Sequence, residues 1–312
     1  MKKYFLMAVC IIMMNMTASA ISINKALLDH NGVVTLYDGL QEAINASADG
    51  DIIYLTLGTF KGPFTVSKKI TIRGTGETSI IDGDVSISIP GSAKLTSPVL
   101  EALVVSGTVN IGAQVDDMII RKCKIANITI GAQVDGAVID RCYITGTLTL
   151  SSYIKGMTVV NSKLYTVIAN SGATQNTTFV NCNFYNLYSD CFSGTIINSI
   201  IDHHYYSSMT INSTVVLNSL YNSGNIKIGS SSVFQNCYSN ASAYISSNCE
   251  CTYDTSTLQS NGYLGTDGTV VGIYGGDTPY TLDPSVPKVT SSSLDLDLEK
   301  KELNVKLTVS PQ

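Results

Sequence analysis

Seven short segments of this chain repeat one signature: Ile120-Arg121-Lys122-Cys123, Ile139-Asp140-Arg141-Cys142, Val160-Asn161-Ser162, Val180-Asn181-Cys182, Ile197-Asn198-Ser199, Leu217-Asn218-Ser219 and Phe234-Gln235-Asn236-Cys237. The Cys-or-Ser position advances from 123 to 142, 162, 182, 199, 219 and 237, in steps of 19, 20, 20, 17, 20 and 18 residues. A period near 20 with a fixed polar residue before a fixed small one marks a stacked solenoid, because each repeat buries its apolar face only against its neighbours. Hairpins reverse the chain at two-residue turns, whereas a long repeat in constant order sets like above like, as parallel rungs.

The segments between the signatures agree. Thr108-Val109-Asn110-Ile111 recurs as Asn127-Ile128-Thr129-Ile130 and again as Thr147-Leu148-Thr149-Leu150, alternating polar and apolar residues as a half-buried strand does. The Asn row (Asn161, Asn181, Asn198, Asn218, Asn236) has a physical reason. A sharp corner between strands needs a left-handed residue, and Asn tolerates that conformation better than other non-glycine residues. Stacked amides are also expected to hydrogen-bond from rung to rung. Lys122 and Arg141 hold this place in the first two rungs, so the row starts late.

Four organisational units follow. Residues 1–20 read as an export signal: Lys2 and Lys3, an apolar run from Tyr4 to Met14, and a small-residue cleavage site at Ala18-Ser19-Ala20. The run is too short to span a bilayer, so the expectation is an exported protein with no membrane span, in the periplasm, at the cell surface or secreted. Residues 21–50 form an N-terminal cap containing a short helix with Leu40, Ala43 and Ile44 on one face. Residues 51–250 form the solenoid, about ten rungs and about 50 Å long at the spacing of hydrogen-bonded strands. Residues 251–312 comprise a Gly-rich stretch and a hairpin in which Leu294, Leu296 and Leu298, then Leu303, Val305, Leu307 and Val309, alternate with polar residues. The hairpin is expected to cover the last rung and hide its edge, which favours a monomer.

With 14% charged residues and a net charge of -5, the chain has no electrostatic footprint for nucleic acid. Of eight Cys, Cys10 leaves with the signal, and Cys123, Cys142, Cys182 and Cys237 share one ladder position with Ser. Packing is the expected role of these four, although Cys123 and Cys142 fall on adjacent rungs within reach of pairing. Cys249-Glu250-Cys251 lacks a second ligand pair, so no metal site is expected. The Gly-rich stretch at 261–276 does not join a strand to a helix in the manner of a nucleotide loop, and no cofactor is expected.

The opening run Leu40-Gln41-Glu42-Ala43-Ile44, Gly50-Asp51-Ile52-Ile53-Tyr54-Leu55, Gly58-Thr59-Phe60 and Ile70-Thr71-Ile72-Arg73-Gly74, with the later Asn-Cys and Asn-Ser rungs, resembles pectate-lyase-like right-handed parallel β-helix proteins over residues 38–250. The Gly-rich stretch resembles a terminal segment of secreted bacterial β-helix proteins of unassigned function. The resemblance implies an all-β, right-handed coil of three parallel sheets and an asparagine ladder. It is nearly silent on function, because this fold hosts lyases, hydrolases and non-catalytic surface proteins.

Enzymes of this kind need carboxylates or a base on an outward strand face. The outward positions of the repeat are Thr108, Asn110, Asn127, Thr129, Thr147 and Thr149, which supply neither. No catalytic residue is therefore assigned. The expected function is a non-catalytic structural or glycan-binding module, and the alternative is a lyase or glycoside hydrolase with a loop-borne site near residues 190–204. Asp190, Asp202, His203, His204 and Lys227 are the nearest approach to a constellation, and a solvated loop is the expected setting of Asp202-His203. Tyr185, Tyr188, Tyr205, Tyr206 and Tyr221 cluster in the same rungs. Together with Asp190, Asp202 and His203 they are the candidates for carbohydrate contact, since an exposed ring with a polar tip suits a sugar face. Tyrosines also pack well on strand surfaces for no ligand's sake.

Overall fold

The computed structural model describes residues 24–91, 93–169, 174–188, 192–203, 208–239, 254–281, 288–297 and 302–310. The segment expected to be an export signal, Asp190, His204, Tyr205, Tyr206 and the Cys at 191, 249 and 251 lie outside these residues.

The chain is an all-β parallel solenoid of about nine turns, one fewer than the repeat length suggests. One face stacks Ile52–Leu55, Thr71–Arg73, Val99–Glu101, Ile119–Arg121, Val138–Asp140, Thr158–Val160, Thr174–Val180, Phe192–Ile197, Thr214–Leu217 and Val233–Gln235 in parallel register. Their inward column runs Ile53, Ile72, Leu100, Ile120, Ile139, Val159, Phe179, Ile196, Val216 and Phe234. All of these are buried except Phe234, which packs against the core from its edge. Each fully buried side chain of this size contributes about 2 kcal/mol relative to exposure, so this column and its partners dominate the stability of the coil.

The second face is built from longer strands: Val104–Ile111, Lys124–Ile130, Tyr143–Leu150, Lys163–Ala169 and Asn183–Tyr188, continued by the short Ile200–Ile201, Leu220–Tyr221 and Tyr238–Ser239. Register shifts between Val105 and Thr108, Ile125 and Ile128, and Ile144 and Thr147 bend each long strand around a corner. The resemblance implies three separate sheets. Here the bulges carry the second sheet around onto the third side, so those two sides are one sheet. Two short parallel pairs lie outside these sheets in the coil, Leu95–Thr96 with Val115–Asp116 and Met209–Ile211 with Ile226–Ile228. At the bend Gly107 has no alternative, because a Cβ there would lie 2.5 Å from the Gly83 backbone.

The N-terminal cap contains more than the expected helix. Helix Leu40–Ala46 buries Leu40, Ala43 and Ile44 as its spacing predicts. Before it, Ala26–His30 and Val33–Tyr37 form an antiparallel hairpin through the left-handed Asn31 and Gly32, and Ala26–His30 pairs antiparallel with Ile52–Leu55. The outer strand leaves Val33, Val34 and Leu36 exposed at the sheet edge. At the other terminus, Lys288–Asp297 and Glu302–Ser310 form the predicted hairpin as a two-stranded antiparallel sheet of their own, and they extend neither large sheet.

Candidate functional site

The corner after the first face is the most regular feature of the molecule. Ala102, Lys122, Arg141, Asn161, Asn181, Asn198, Asn218 and Asn236 all adopt φ between 46° and 55°. The left-handed reading of the Asn row therefore holds, and the row extends back through Arg141 and Lys122 to Ala102. The small residue that follows has a bonding role beyond packing. Ser162, Ser199 and Ser219 donate their hydroxyls to the carbonyls of Val160, Ile197 and Leu217 at 2.7–2.8 Å. The same three oxygens accept from the N–H groups of Cys142, Cys182 and Ser199 on the preceding rung at 3.0–3.1 Å. Cys123, Cys142, Cys182 and Cys237 place thiols in the same position and are free, so Cys123 and Cys142 do not pair. Burial pushes the Cys182 thiol up to about 12 and the Cys237 thiol up to about 11, which makes both poor nucleophiles.

The Asn amides bond differently from the expected ladder. Asn181 Nδ2 donates to the carbonyls of Ile273 (2.9 Å) and Gly275 (2.8 Å). Asn218 Nδ2 donates to Thr266 Oγ1 (3.3 Å), and Asn218 Oδ1 accepts from Thr266 N (3.1 Å). The Gly-rich segment, entered through helix Thr255–Ser260, thus lies sideways along the Asn corner. Its glycines permit the approach: a Cβ on Gly276 would stand 2.3 Å from Asn198 Nδ2, and one on Gly265 2.9 Å from Asn218 Cγ. Beneath it Ile200, Leu220, Leu258, Val271, Ile273 and Tyr280 form a second apolar cluster, and Tyr263 stacks on Tyr238 at 4.4 Å.

The outward row of the first face carries charges that the repeat reading passed over. Glu101 Oε2 accepts from Arg73 Nε (2.7 Å) and Arg121 Nη2 (3.0 Å). Burial raises the Glu101 pKa, but the two guanidinium groups outweigh it and hold the carboxyl below its ordinary value. An ionised, doubly bonded carboxylate is no proton donor at neutral pH. The Thr and Asn positions expected to face outward do so, half-exposed, and Asn127 Oδ1 is taken by Thr147 N at 2.9 Å.

Of the carbohydrate candidates, Tyr185, Tyr188, Asp202 and His203 come together on consecutive rungs. Asp202 and His203 overturn the expectation of a solvated loop, being 0% and 1% exposed. Asp202 Oδ1 accepts from His203 N and Asn222 Nδ2, both at 2.7 Å, and Asn225 Nδ2 donates to the His203 carbonyl at 2.7 Å. The His203 ring meets Tyr188 edge to face at 5.1 Å. The physical reason is that the bent strand stops at Ile201, and this polar cluster fills the space that strand residues fill in earlier rungs. Tyr185 stacks on Tyr165 with centroids 4.8 Å apart and planes 19° apart, which is the rung spacing itself. Tyr165 is 37% exposed and was absent from the sequence candidates; its equivalence to Tyr185, 20 residues on, was the available signal. Lys227 is exposed on Ile226–Ile228. Among the described residues no group of three or more His, Cys, Asp or Glu is placed to hold a metal ion, and no helix is long and apolar enough to cross a membrane.

No protein-family model matches the chain, and no curated protein does. Among solved structures it is similar to ORF18 of Geobacillus virus E2, with a TM-score of 0.38 and 11% identity over 70% of this chain and 67% of that one. A likeness of this size bears no functional argument.

Proposed function

We propose that this protein is an exported, non-catalytic member of the right-handed parallel β-helix, pectate-lyase-like group that binds glycan on the tyrosine-bearing bend of its second face. The carrying observation is the Tyr165–Tyr185 stack, whose outer ring is open to solvent. Two nearly parallel rings stacked one rung apart give an apolar surface for a sugar, with hydroxyl tips to fix its orientation. The half-exposed Thr and Asn of the neighbouring rungs supply neutral donors and acceptors. The sealed setting of Asp202 and the arginine-clamped Glu101 support the non-catalytic part of the reading, since neither presents a carboxyl able to exchange a proton with a substrate.

A glycan array probed with the protein from residue 21 onward, with and without calcium, tests this reading. Retention of a glycan that Tyr165→Ala weakens about tenfold, with no cleavage of the retained ligand, is the expected result. Retention unaffected by Tyr165→Ala would remove the stack as the site. Cleavage would restore the loop-borne enzyme alternative.

A further inference from the structure

The first face ends, on its N-terminal side, at the strand Val33–Tyr37, which pairs with Ala26–His30 and with no other described strand. Asn31 and Gly32 both have positive φ, 52° and 84°, so the turn is a two-residue type I′ loop and the flanking His30 and Val33 form a hydrogen-bonded pair. Bonded and open pairs alternate along an antiparallel ladder, so Thr35 and Tyr37 also turn their N–H and C=O groups toward Ala26–His30. The N–H and C=O groups of Val34 and Leu36 therefore point away from the sheet, in line for a further strand. Natural edges are blunted by Lys, Pro or a bulge. Val33-Val34-Thr35-Leu36-Tyr37 has no charge and no proline, and its register is unbroken. Val33, Val34 and Leu36 are 67%, 56% and 59% exposed. The chain enters the hairpin from the rung side and not across this edge: Asn24 Nδ2 donates to the Thr59 carbonyl (3.0 Å) and Lys25 N to Thr56 Oγ1 (2.8 Å). The C-terminal hairpin extends neither large sheet.

We propose that this edge pairs with the same edge of a second copy of the chain, antiparallel, about a two-fold axis at Thr35. The strand is complementary to itself. With Thr35 opposite Thr35 of the second copy, Val34 stands opposite Leu36 and Leu36 opposite Val34, so all four outward backbone groups of each copy are paired. A slip of two residues in either direction takes a partner from beyond the strand, Gly32 or Asp38. On the core-facing side Val33 lies beside Tyr37 of the second copy, a β-branched residue against an aromatic one, which is a stabilising cross-strand pair. On the outer side Val34 and Leu36 of both copies join Leu27 in one apolar band. No charge falls within the paired length, and Asp38, the first beyond it, is already paired with Lys25 of its own copy. The contact takes 5 residues from each copy, so it belongs with the weak, concentration-dependent interfaces. The two coils then run in opposite directions from one shared sheet. The expectation of a monomer assumes that the caps hide every sheet edge; the N-terminal cap supplies one instead. This surface does not depend on the glycan reading, whose tyrosines stand on the second face.

The test is sedimentation of the protein from residue 21 onward, from micromolar to millimolar concentration, where a monomer–dimer equilibrium is expected. The informative variant is Val34→Pro. The Val34 N–H takes no part in the pairing with Ala26–His30, so proline removes an outward donor without costing an internal bond. It should weaken the dimer at least about tenfold, since the two-fold removes two hydrogen bonds at once. Its urea midpoint, read where the monomer prevails, should be unchanged. Register is read independently by Thr35→Cys, which the two-fold sets opposite itself at a Cα separation of about 4.5 Å, within disulfide reach. With glutathione disulfide as oxidant, two thiols join in one disulfide and two molecules of glutathione are released. Thr35→Cys should cross-link two copies at least about tenfold faster than Val34→Cys, whose equivalent lies diagonally across, or than the unsubstituted protein. A monomer throughout the concentration range, a dimer that Val34→Pro leaves intact, or equal cross-linking at the two positions would each overturn the proposal.

Discussion

At Asn181 two separable contributions meet in one side chain: a left-handed φ of 51° and two hydrogen bonds to the covering segment. Asn181→Gly keeps the first and loses the second, so it should cost about 1–2 kcal/mol; Asn181→Ala loses both and should cost about 2–4 kcal/mol. Denaturant midpoints for the two variants, read side by side, separate backbone strain from tethering. Equal losses would mean that the conformation contributes nothing. The ladder thiols make a chemical prediction. With the Cys182 thiol at about 12 and Cys237 at about 11, fewer than about one in a thousand is ionised at pH 8. Native protein should therefore resist iodoacetamide at both positions and react only after unfolding, which peptide mapping would score. At Glu101 the folded-state pKa lies below the ordinary 4.5, against the effect of burial and because of Arg73 and Arg121. A carboxyl depressed on folding stabilises the protein above its unfolded pKa, and that contribution fades as pH falls through the folded value. Asp51 behaves alike: burial raises its pKa, but the Ala48 N–H and His30 outweigh it. Glu101→Gln should cost about 1 kcal/mol at pH 7, a figure discounted for the partial exposure of its partners, and progressively less as the pH falls below the ordinary 4.5. A penalty independent of pH would point to packing instead.

At the scale of elements, the repeat made the first face legible because its inward column obeys a simple rule: apolar residue, polar residue, left-handed corner, small residue. The N-terminal hairpin was equally legible in principle, since Asn31-Gly32 is the strongest two-residue turn signal and it lies between two short apolar-rich runs, Ala26-Leu27-Leu28 and Val33-Val34. The docking of the Gly-rich segment was harder to anticipate, because it has no period of its own. Its trace lies in the rungs it covers. Ile200-Ile201 and Leu220-Tyr221 place apolar residues on both faces of a strand where Lys124-Ile125 and Lys163-Leu164 place one polar and one apolar residue, and a strand apolar on both faces is a strand covered on both. The buried Asp202-His203 pair escaped because its burial depends on where the bent strand stops, which spacing does not encode. Deleting the chain after residue 253 should expose Ile200 and Leu220 and remove about 2 kcal/mol of burial for each, with the hydrogen bonds at Asn181 and Asn218 lost besides. Hydrogen exchange should then rise in strands from Asn183 to Tyr221 and stay unchanged from Val104 to Leu150. Uniform acceleration throughout the coil would show that the segment braces the whole molecule.

At the scale of the whole molecule, the solenoid is two structures end to end. From Val104 to Ala169 the strands of the second face pair only with those of the rungs above and below, and stability there approximates a sum of like terms. From Asn181 to Asn218 one irregular segment binds several rungs at once, through donors set at particular heights. The consequence concerns how such a molecule changes its length. A whole rung of 19 or 20 residues can be gained or lost in the free half, since every corner there offers the same junction to the next. In the fastened half a change of one rung would move Asn181 away from Ile273 or Asn218 away from Thr266 by a full strand spacing, and the segment would no longer reach both. The growth point of this coil is therefore its free half, and the Gly-rich segment sets its fastened half to one register.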